Sequence, residues 1–323
     1  MVAGLWKLRL SMIGTLALII GVSTLFITLI LRLIGAFSFT SLIVLVTIFN
    51  FAQWLFAPYI IDAIYRVREL RYHENPELHQ IVDRLSKKSG IKKPKLMIAN
   101  VSLPNAFAYG SPLTGNRVAV TKGLLQILDT DEIEAVLGHE IGHLKHRDVQ
   151  AMMFLSLLPS IFYLIAEWFY YSSLFRGYGY EERDQGGAMM FLIAMLSLVA
   201  YYILTLLILG FSRLREYYAD RHSATITEYG AEKLASALVK IAGYSKRIKS
   251  SGVTAGSTSF KALFICDPDA KIDLRTIRLS TEEMRLIREI AHRKLTLAER
   301  LAELFSTHPN LTKRLRALME LMR

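Results

Sequence analysis

Long apolar runs without charge constrain the fold of this chain more than any other feature of its sequence. Residues 10–31 and 33–61 contain no charged side chain, a third run at 151–175 contains only Glu167, and a fourth at 186–212 is again uncharged. Each run exceeds the roughly 20 residues that cross a bilayer as a helix. Together with a mean hydropathy of +0.32, they predict an integral-membrane protein with four transmembrane helices.

These runs divide the chain into two transmembrane hairpins and two polar blocks. All but five of the 39 Lys and Arg residues lie in the polar blocks. Since positive charge is retained on the cytoplasmic side, both blocks and both termini are expected in the cytoplasm, in a multi-pass protein of the cytoplasmic membrane. The first run lacks a small-residue cleavage site and is therefore predicted to be an uncleaved anchor. The predicted segments are a hairpin at 1–61 (spans about 10–31 and 37–61), a block at 62–150, a hairpin at 151–212 and a block at 213–323.

The net charge of +11 permits two interpretations. A nucleic-acid-binding protein usually concentrates its basic residues, with aromatic residues between them, and this chain has no such tract. A basic cytoplasmic surface that faces anionic lipid is the better explanation of the charge. We therefore expect a lipid bilayer as a partner and no nucleic acid.

The pentapeptide His139-Glu140-Ile141-Gly142-His143 is the strongest chemical signal in the chain. On a helix, the two histidines of an HExxH motif project from one face, one turn apart, and both can bind a single metal ion. The glutamate beside them can take a proton from the attacking water and return it to the leaving amine. The motif predicts a zinc site with its own general base, Glu140, although a chance occurrence remains open at this point.

The residues around this motif favour the helix that it requires. Thr130 is the expected N-cap, and apolar residues recur at helical spacing from Ile133 to Leu144. Gly138 and Gly142 each disfavour a helix by roughly 1 kcal/mol relative to Ala. We therefore expect another element to pack closely against these two glycines.

A zinc site needs a third protein ligand, and topology indicates where to find it. Cys266 is the only cysteine, which excludes a cysteine-based site and an intramolecular disulfide. The chain returns to the cytoplasmic side after the fourth run, where Glu216 and Asp220 lie one helical turn apart. We assign Glu216 to the metal and Asp220 to an imidazole N–H, which it would orient.

Four short motifs occur along the chain: Asn105-Ala106-Phe107-Ala108-x-Gly110, His139-Glu140-x-x-His143, Arg213-x-Arg215-Glu216-Tyr217-x-Ala219-Asp220 and Ser306-Thr307-His308-Pro309. Together with the four-span layout, they resemble the HtpX-type integral-membrane zinc endopeptidases, which are relatives of the CAAX prenyl endopeptidases. The resemblance implies a glutamate, here Glu216, as third zinc ligand, support of the site by Asp220, and substrates that are damaged or misassembled membrane proteins. Tyr109 and Asn310 depart from the usual pattern of this family, which leaves details of the substrate cleft open.

Two further histidines are candidates for the site. By resemblance, His308 would donate a hydrogen bond to the oxyanion that forms on the attacked carbonyl. The alternative is that His308 is a loop or capping residue before Pro309. His146, one turn beyond His143, is expected to be a surface residue, because Glu216 already completes the ligand set.

Residues 95–121 predict a small antiparallel sheet before the zinc helix, with strands near 96–99, 106–109 and 118–120. An open edge of such a sheet can bind an extended peptide through main-chain hydrogen bonds. Asn105, Ala106 and Phe107 are thus candidates for substrate binding, or else ordinary turn and core residues. The second polar block is predicted to be helical, most clearly at 282–305 and 311–322.

The sequence as a whole predicts a mainly α-helical membrane protein with a cytosolic zincin-like α+β metalloprotease domain and one Zn²⁺ per chain. It would cleave polypeptides, with membrane proteins as the expected substrates. Two alternatives remain: a CAAX-type prenyl-peptide protease, and a non-enzymatic metal-binding membrane protein or transporter. A transporter would be expected to carry acidic ligands within the membrane, and apart from Glu167 these runs have none. The oligomeric state is left open by the sequence.

Overall fold

The computed structural model describes residues 38–176, 185–250 and 281–322. These residues are mainly helical with one small sheet, as predicted. The predicted first span at 10–31 and Cys266 lie outside the described residues. The elements are α1 (Phe39–Tyr65), β1 (Val67–Glu69), α2 (Pro76–Ser89), β2 (Lys95–Ala99), β3 (Ala106–Ser111), β4 (Gly115–Thr121), α3 (Lys122–Ile127), α4 (Thr130–Lys145), α5 (Asp148–Arg176), α6 (Gln185–Ile226), α7 (Gly230–Ser250), α8 (Thr281–His292), α9 (Leu297–Leu304) and α10 (Leu311–Leu321).

Among the described residues, three helices are long and apolar enough to cross a membrane. Their candidate spans are Ile43–Tyr65 in α1, Asp148–Leu174 in α5 and Gly187–Ile226 in α6. They correspond to three of the four apolar runs. Helix α6 continues beyond the last run at residue 212, so that one helix connects the apolar segment to Glu216 and Asp220.

The described residues form two compact units. The first unit contains segments of the three apolar helices, and its best-buried large side chain is Leu164, which packs against Leu45 and Val46. Glu167 accepts a hydrogen bond of 2.9 Å from the Tyr163 hydroxyl one turn away. The first unit comprises 38–54, 150–176 and 185–211, and the second 55–149, 212–250 and 281–322.

The second unit contains the sheet, which differs from the prediction. Its strand order is β1-β2-β4-β3, and β2 pairs with β4 in parallel, so the sheet is mixed rather than antiparallel. The predicted β3–β4 hairpin is antiparallel, with Ala106 opposite Val120 and Ser111 opposite Gly115. Local alternation identifies the strands, but it carries no information on which strand lies between which others. Strand β1 was not predicted, because a strand of three residues is too short to show a periodic pattern.

Helix α4 runs through the core of the second unit. It packs against α2 and α7, and it contacts β3. Its N-cap is Asp129 rather than Thr130, because Asp129 and Glu132 form a reciprocal capping box. Near the C-terminus, the predicted helix at 282–305 is divided into α8 and α9, since Thr296 forms a second capping box with Glu299.

Candidate metal centre

Helix α4 brings the imidazole rings of His139 and His143 into contact. Their rings meet edge to face with centroids 4.8 Å apart, and their Nε2 atoms are separated by 3.2 Å. The His139 side chain is 1% exposed and that of His143 is 12% exposed. The one-turn spacing of the motif therefore produces a pair of imidazoles directed at one point.

Helix α6 adds a carboxylate to this pair. Glu216 Oε1 lies 3.5 Å from His143 Nε2, and Glu216 Oε2 lies 3.7 Å from His139 Nε2. One ligand atom from each of the three residues lies within 4.8 Å of the others. The structure thus brings together all three residues that were predicted to bind the metal.

The two glycines of α4 allow α6 to approach this closely. A Cβ at Gly138 would lie 3.0 Å from Ser223 Oγ, and a Cβ at Gly142 would lie 3.2 Å from the Cα of Ala219. A residue with a Cβ at either position would require these neighbours in α6 to shift by a few tenths of an ångström. The close packing expected at these glycines is confirmed, with α6 as the neighbouring helix.

Each imidazole has a carboxylate behind it. His139 Nδ1 lies 2.9 Å from Asp220 Oδ1, and His143 Nδ1 lies 2.6 Å from Asp148 Oδ2. Asp148 is 5% exposed and also pairs with Arg215. Arg147, at the junction of α4 and α5, has a φ of 54°, and this left-handed turn directs Asp148 back towards His143.

These carboxylates make the arrangement suitable for a cation. When each Nδ1–H is directed at the carboxylate behind it, both Nε2 atoms hold lone pairs, and these repel each other unless a cation lies between them. A shared cation removes this repulsion. Two nitrogens bound to one tetrahedral zinc ion at about 2.0–2.1 Å lie about 3.3 Å apart, close to the separation in this structure. Two histidines and a glutamate are also the donor set of a catalytic zinc site with one position open.

Arg314 and His308 approach Glu216 from the C-terminal part of the chain. Arg314 donates from Nε and Nη2 to the two oxygens of Asp220 at 2.8 and 2.5 Å, and its Nη1 lies 3.4 Å from Glu216 Oε2. His308 Nδ1 lies 3.1 Å from the same Glu216 oxygen. Its Nε2 is buried without a hydrogen-bond partner among the described residues.

Sequence reasoning missed Arg314, although a signal was present. Leu311, Leu315 and Leu318 form the buried face of α10, and Arg314 lies on that face at helical spacing. An arginine that is 1% exposed must have an anionic partner. The position of Arg314 in an apolar stripe was therefore evidence for a buried carboxylate elsewhere.

Glu140 is buried beside the two histidines. Its Oε2 accepts a hydrogen bond of 2.8 Å from the backbone N–H of Ala108 in β3. Burial raises the pKa of the Glu140 carboxyl, because desolvation outweighs the attraction of His139 and His143. A raised pKa suits a group that must take up a proton during the reaction.

The pKa of His143 is also raised. Burial disfavours its charged form, but the hydrogen bond to Asp148 and the charges of Glu216 and Glu140 outweigh that effect. Protons therefore compete with a metal for this imidazole at a higher pH than they would at an isolated histidine.

Of the remaining candidate residues, three lie at or in strand β3 and His146 lies at the surface. Asn105 and Ala106 are buried at the start of β3, and the Phe107 ring packs between Tyr65 and Tyr109 at centroid distances of 5.7 and 5.4 Å. The Phe107 side chain is therefore part of the core. His146 is exposed and does not join the donor set, as predicted.

Comparison with known proteins agrees with this geometry. Residues 72–322 match the model of peptidase family M48. The protease HtpX homolog of Thermoplasma acidophilum is 39% identical over 293 residues, which cover 87% of this chain and 86% of the relative. The protease HtpX homolog of Aeropyrum pernix is 40% identical over 275 residues, covering 82% and 81%.

A solved structure shares the fold. The crystal structure of S. mikatae Ste24p matches with a TM-score of 0.57 and covers 98% of this chain and 67% of that protein, at 19% sequence identity. At this identity the likeness concerns the fold alone. On the strength of the family match and the two close relatives, the chain belongs to peptidase family M48, and it is a membrane metallopeptidase of the HtpX type.

Proposed function

We propose that this protein is a zinc-dependent endopeptidase of the cytoplasmic membrane, with four spans and with its active site and both termini in the cytoplasm. The observation that carries the zinc assignment is the pair of imidazole Nε2 atoms 3.2 Å apart with Glu216 beside them. The cytoplasmic orientation is supported by the concentration of Lys and Arg in the two polar blocks.

In this proposal His139, His143 and Glu216 hold the ion, while Asp220 and Asp148 fix the two imidazole rings. The chemistry supplied by zinc when bound is Lewis acidity towards the scissile carbonyl. Glu140 takes a proton from the attacking water and passes it to the leaving amine, so the peptide bond is hydrolysed by direct attack of water, without an acyl-enzyme.

His308 is the proposed donor to the oxyanion. Its Nδ1 faces Glu216, which leaves the buried Nε2 as the nitrogen that would reach substrate. A donor positioned in advance for the charge that develops on the carbonyl oxygen is an effective stabiliser of the transition state.

Strand β3 lies at one edge of the sheet, and this edge is the proposed binding site for an extended substrate. Ala108 N–H points away from β4 and towards Glu140, and in an antiparallel ladder the main-chain groups of alternate residues point the same way. Ala106 therefore presents its backbone on the same edge. Main-chain pairing there would accept many sequences, as quality control of misassembled membrane proteins requires. Asn105 and Phe107 would shape this edge from within the fold.

No separate observation on the described residues supports a prenyl-peptide substrate. The match to Ste24p concerns the fold, and the described part of this chain has three candidate spans. A non-enzymatic metal-binding role is set aside, because the chain belongs to a peptidase family.

Removal of the metal tests the proposed cofactor. Purified full-length protein dialysed against a strong chelator is expected to lose casein cleavage, because Glu140 without zinc beside it cannot activate water sufficiently. Zinc returned at one equivalent per chain should restore cleavage, whereas Mg²⁺, which prefers oxygen ligands, should not. A mock-dialysed sample is the control, and undiminished cleavage by metal-free protein would refute the proposal.

A further inference from the structure

The β3–β4 hairpin runs alongside the end of helix α1. The Tyr109 hydroxyl donates to Asp62 Oδ1 at 2.6 Å, and Arg117 forms an ion pair with the same carboxylate. Further along the hairpin, Ser111 Oγ donates to the main-chain carbonyl of Leu55 at 2.9 Å. Leu55 precedes Asp62 by seven residues, about 10 Å along a helix axis. The hairpin thus runs back along α1 from Asp62 to Leu55.

The ion pair of Asp62 and Arg117 is here called the boundary pair, because each of its residues adjoins a long uncharged stretch of its element. Residues 33–61 before Asp62 and residues 96–116 before Arg117 contain no charged side chain. Within these two uncharged stretches, both α1 and the hairpin have exposed apolar side chains. They include Leu113, which is 56% exposed, Phe56 at 54%, Tyr59 at 50% and Ile60 at 48%.

The turn of the hairpin provides hydrogen-bond partners for some of its own backbone groups. Ser111 N–H donates to Thr114 Oγ1 at 3.1 Å, and Thr114 N–H donates to the Ser111 carbonyl at 3.2 Å. Irregular backbone is costly in hydrocarbon, but a compact turn of this kind suits the interfacial layer, where water and headgroups serve the remaining groups.

We propose that the hairpin tip, residues 112–116, inserts into the interfacial layer of the bilayer beside α1. Leu113 then contacts acyl chains, and the boundary pair lies among the phospholipid headgroups. Lipid is the occupant because the tip continues the uncharged exposed surface of the candidate span Ile43–Tyr65. Ser111, at the base of the tip, already lies about 10 Å beyond the boundary pair, so the tip reaches at least the roughly 5–10 Å to which interfacial segments are buried.

This placement sets the height of the active site above the membrane. Ala108, which donates to Glu140, precedes Ser111 by three residues, about 10 Å along a strand. Glu140 therefore lies near the level of the boundary pair, among the headgroups. A polypeptide segment that leaves the bilayer then meets the edge of β3 at once, which favours membrane-anchored or membrane-extracted substrates over chains diffusing in bulk solution.

The inference rests on α1 as a membrane span and is independent of peptidase activity, so it is tested by lipid contact. In a Cys266→Ser background, single cysteines replace Leu113, Ile48 and Gln126 in full-length protein. Ile48, 58% exposed, lies within the candidate span of α1. Gln126, in the short helix after the other end of β4, is exposed. Each variant is labelled with an environment-sensitive fluorophore and reconstituted in phospholipid nanodiscs.

The label at Leu113 should lose fluorescence to nitroxides on the lipid acyl chains, as the label at Ile48 does, and should be protected from aqueous iodide. The label at Gln126 should show the reverse. The inference is overturned if the label at position 48 is quenched by acyl-chain nitroxide while the label at position 113 is as accessible to iodide as the label at position 126. The hairpin tip would then be in water. If Ile48 fails to respond, α1 does not span the bilayer, and the inference falls with it, whatever the peptidase activity.

Discussion

Glu140→Gln is expected to abolish casein cleavage and to leave zinc bound. The glutamine side chain has the same size, and its carbonyl can still accept the hydrogen bond from Ala108 N–H. It has no proton-accepting carboxylate, so the reaction loses its general base, which typically contributes about 10²–10⁴-fold in rate. Zinc should remain because Glu140 is not one of the three residues that form the donor set.

The comparison needs a matched glutamate on the same helix. Glu134 lies on α4 and pairs with Arg84 at 2.9 Å, away from the donor set. Glu134→Gln should therefore retain both zinc and cleavage. Cleavage rates and zinc content measured together on the three proteins decide the role of Glu140. Cleavage by Glu140→Gln near the wild-type rate would rule out Glu140 as the general base.

Arg314→Met is expected to destabilise the second unit strongly and to weaken zinc binding. The substitution leaves the buried carboxylate of Asp220 without its bidentate partner. Removing one partner of a buried ion pair typically costs about 3–5 kcal/mol. Asp220 also lies behind His139, so a displaced Asp220 would lose its hold on that imidazole.

Two further variants separate charge from geometry. Arg314→Lys keeps the charge but loses the planar fork that contacts both oxygens of Asp220, so its loss should be intermediate. Arg300→Met, at an exposed position on α9, should stay within about 0.5 kcal/mol of wild type. Thermal unfolding and zinc affinity of the purified proteins provide the measurements. Equal melting temperatures for Arg314→Met and Arg300→Met would contradict a structural role for Arg314.

The metal donors could be predicted because their spacing is local. His139 and His143 share one turn of α4, Glu216 and Asp220 share one turn of α6, and the apolar runs indicate that both helices reach the same side of the membrane. Side-chain periodicity is set by helix geometry and survives any tertiary arrangement. For this reason the amino-acid sequence alone indicates both halves of the site.

The partners of those donors could not be predicted in the same way. Arg314 lies 94 residues beyond Asp220 in sequence, and their contact depends on how α10 packs. Asp148 faces His143 only because Arg147 takes a left-handed conformation, which has no simple sequence signature outside Gly and Asn. The order of strands in the sheet is likewise a long-range property.

The central claim is that Glu216 completes a zinc site begun by His139 and His143, and the zinc-to-protein ratio of Glu216→Gln tests it most directly. Loss of a ligand should weaken binding by more than the roughly 10–100-fold typical of an outer partner. Wild type and the exposed control Glu228→Gln should each retain one zinc per chain after dialysis, while Glu216→Gln should retain little. A Glu216→Gln protein that binds zinc with the wild-type ratio and affinity would contradict the account.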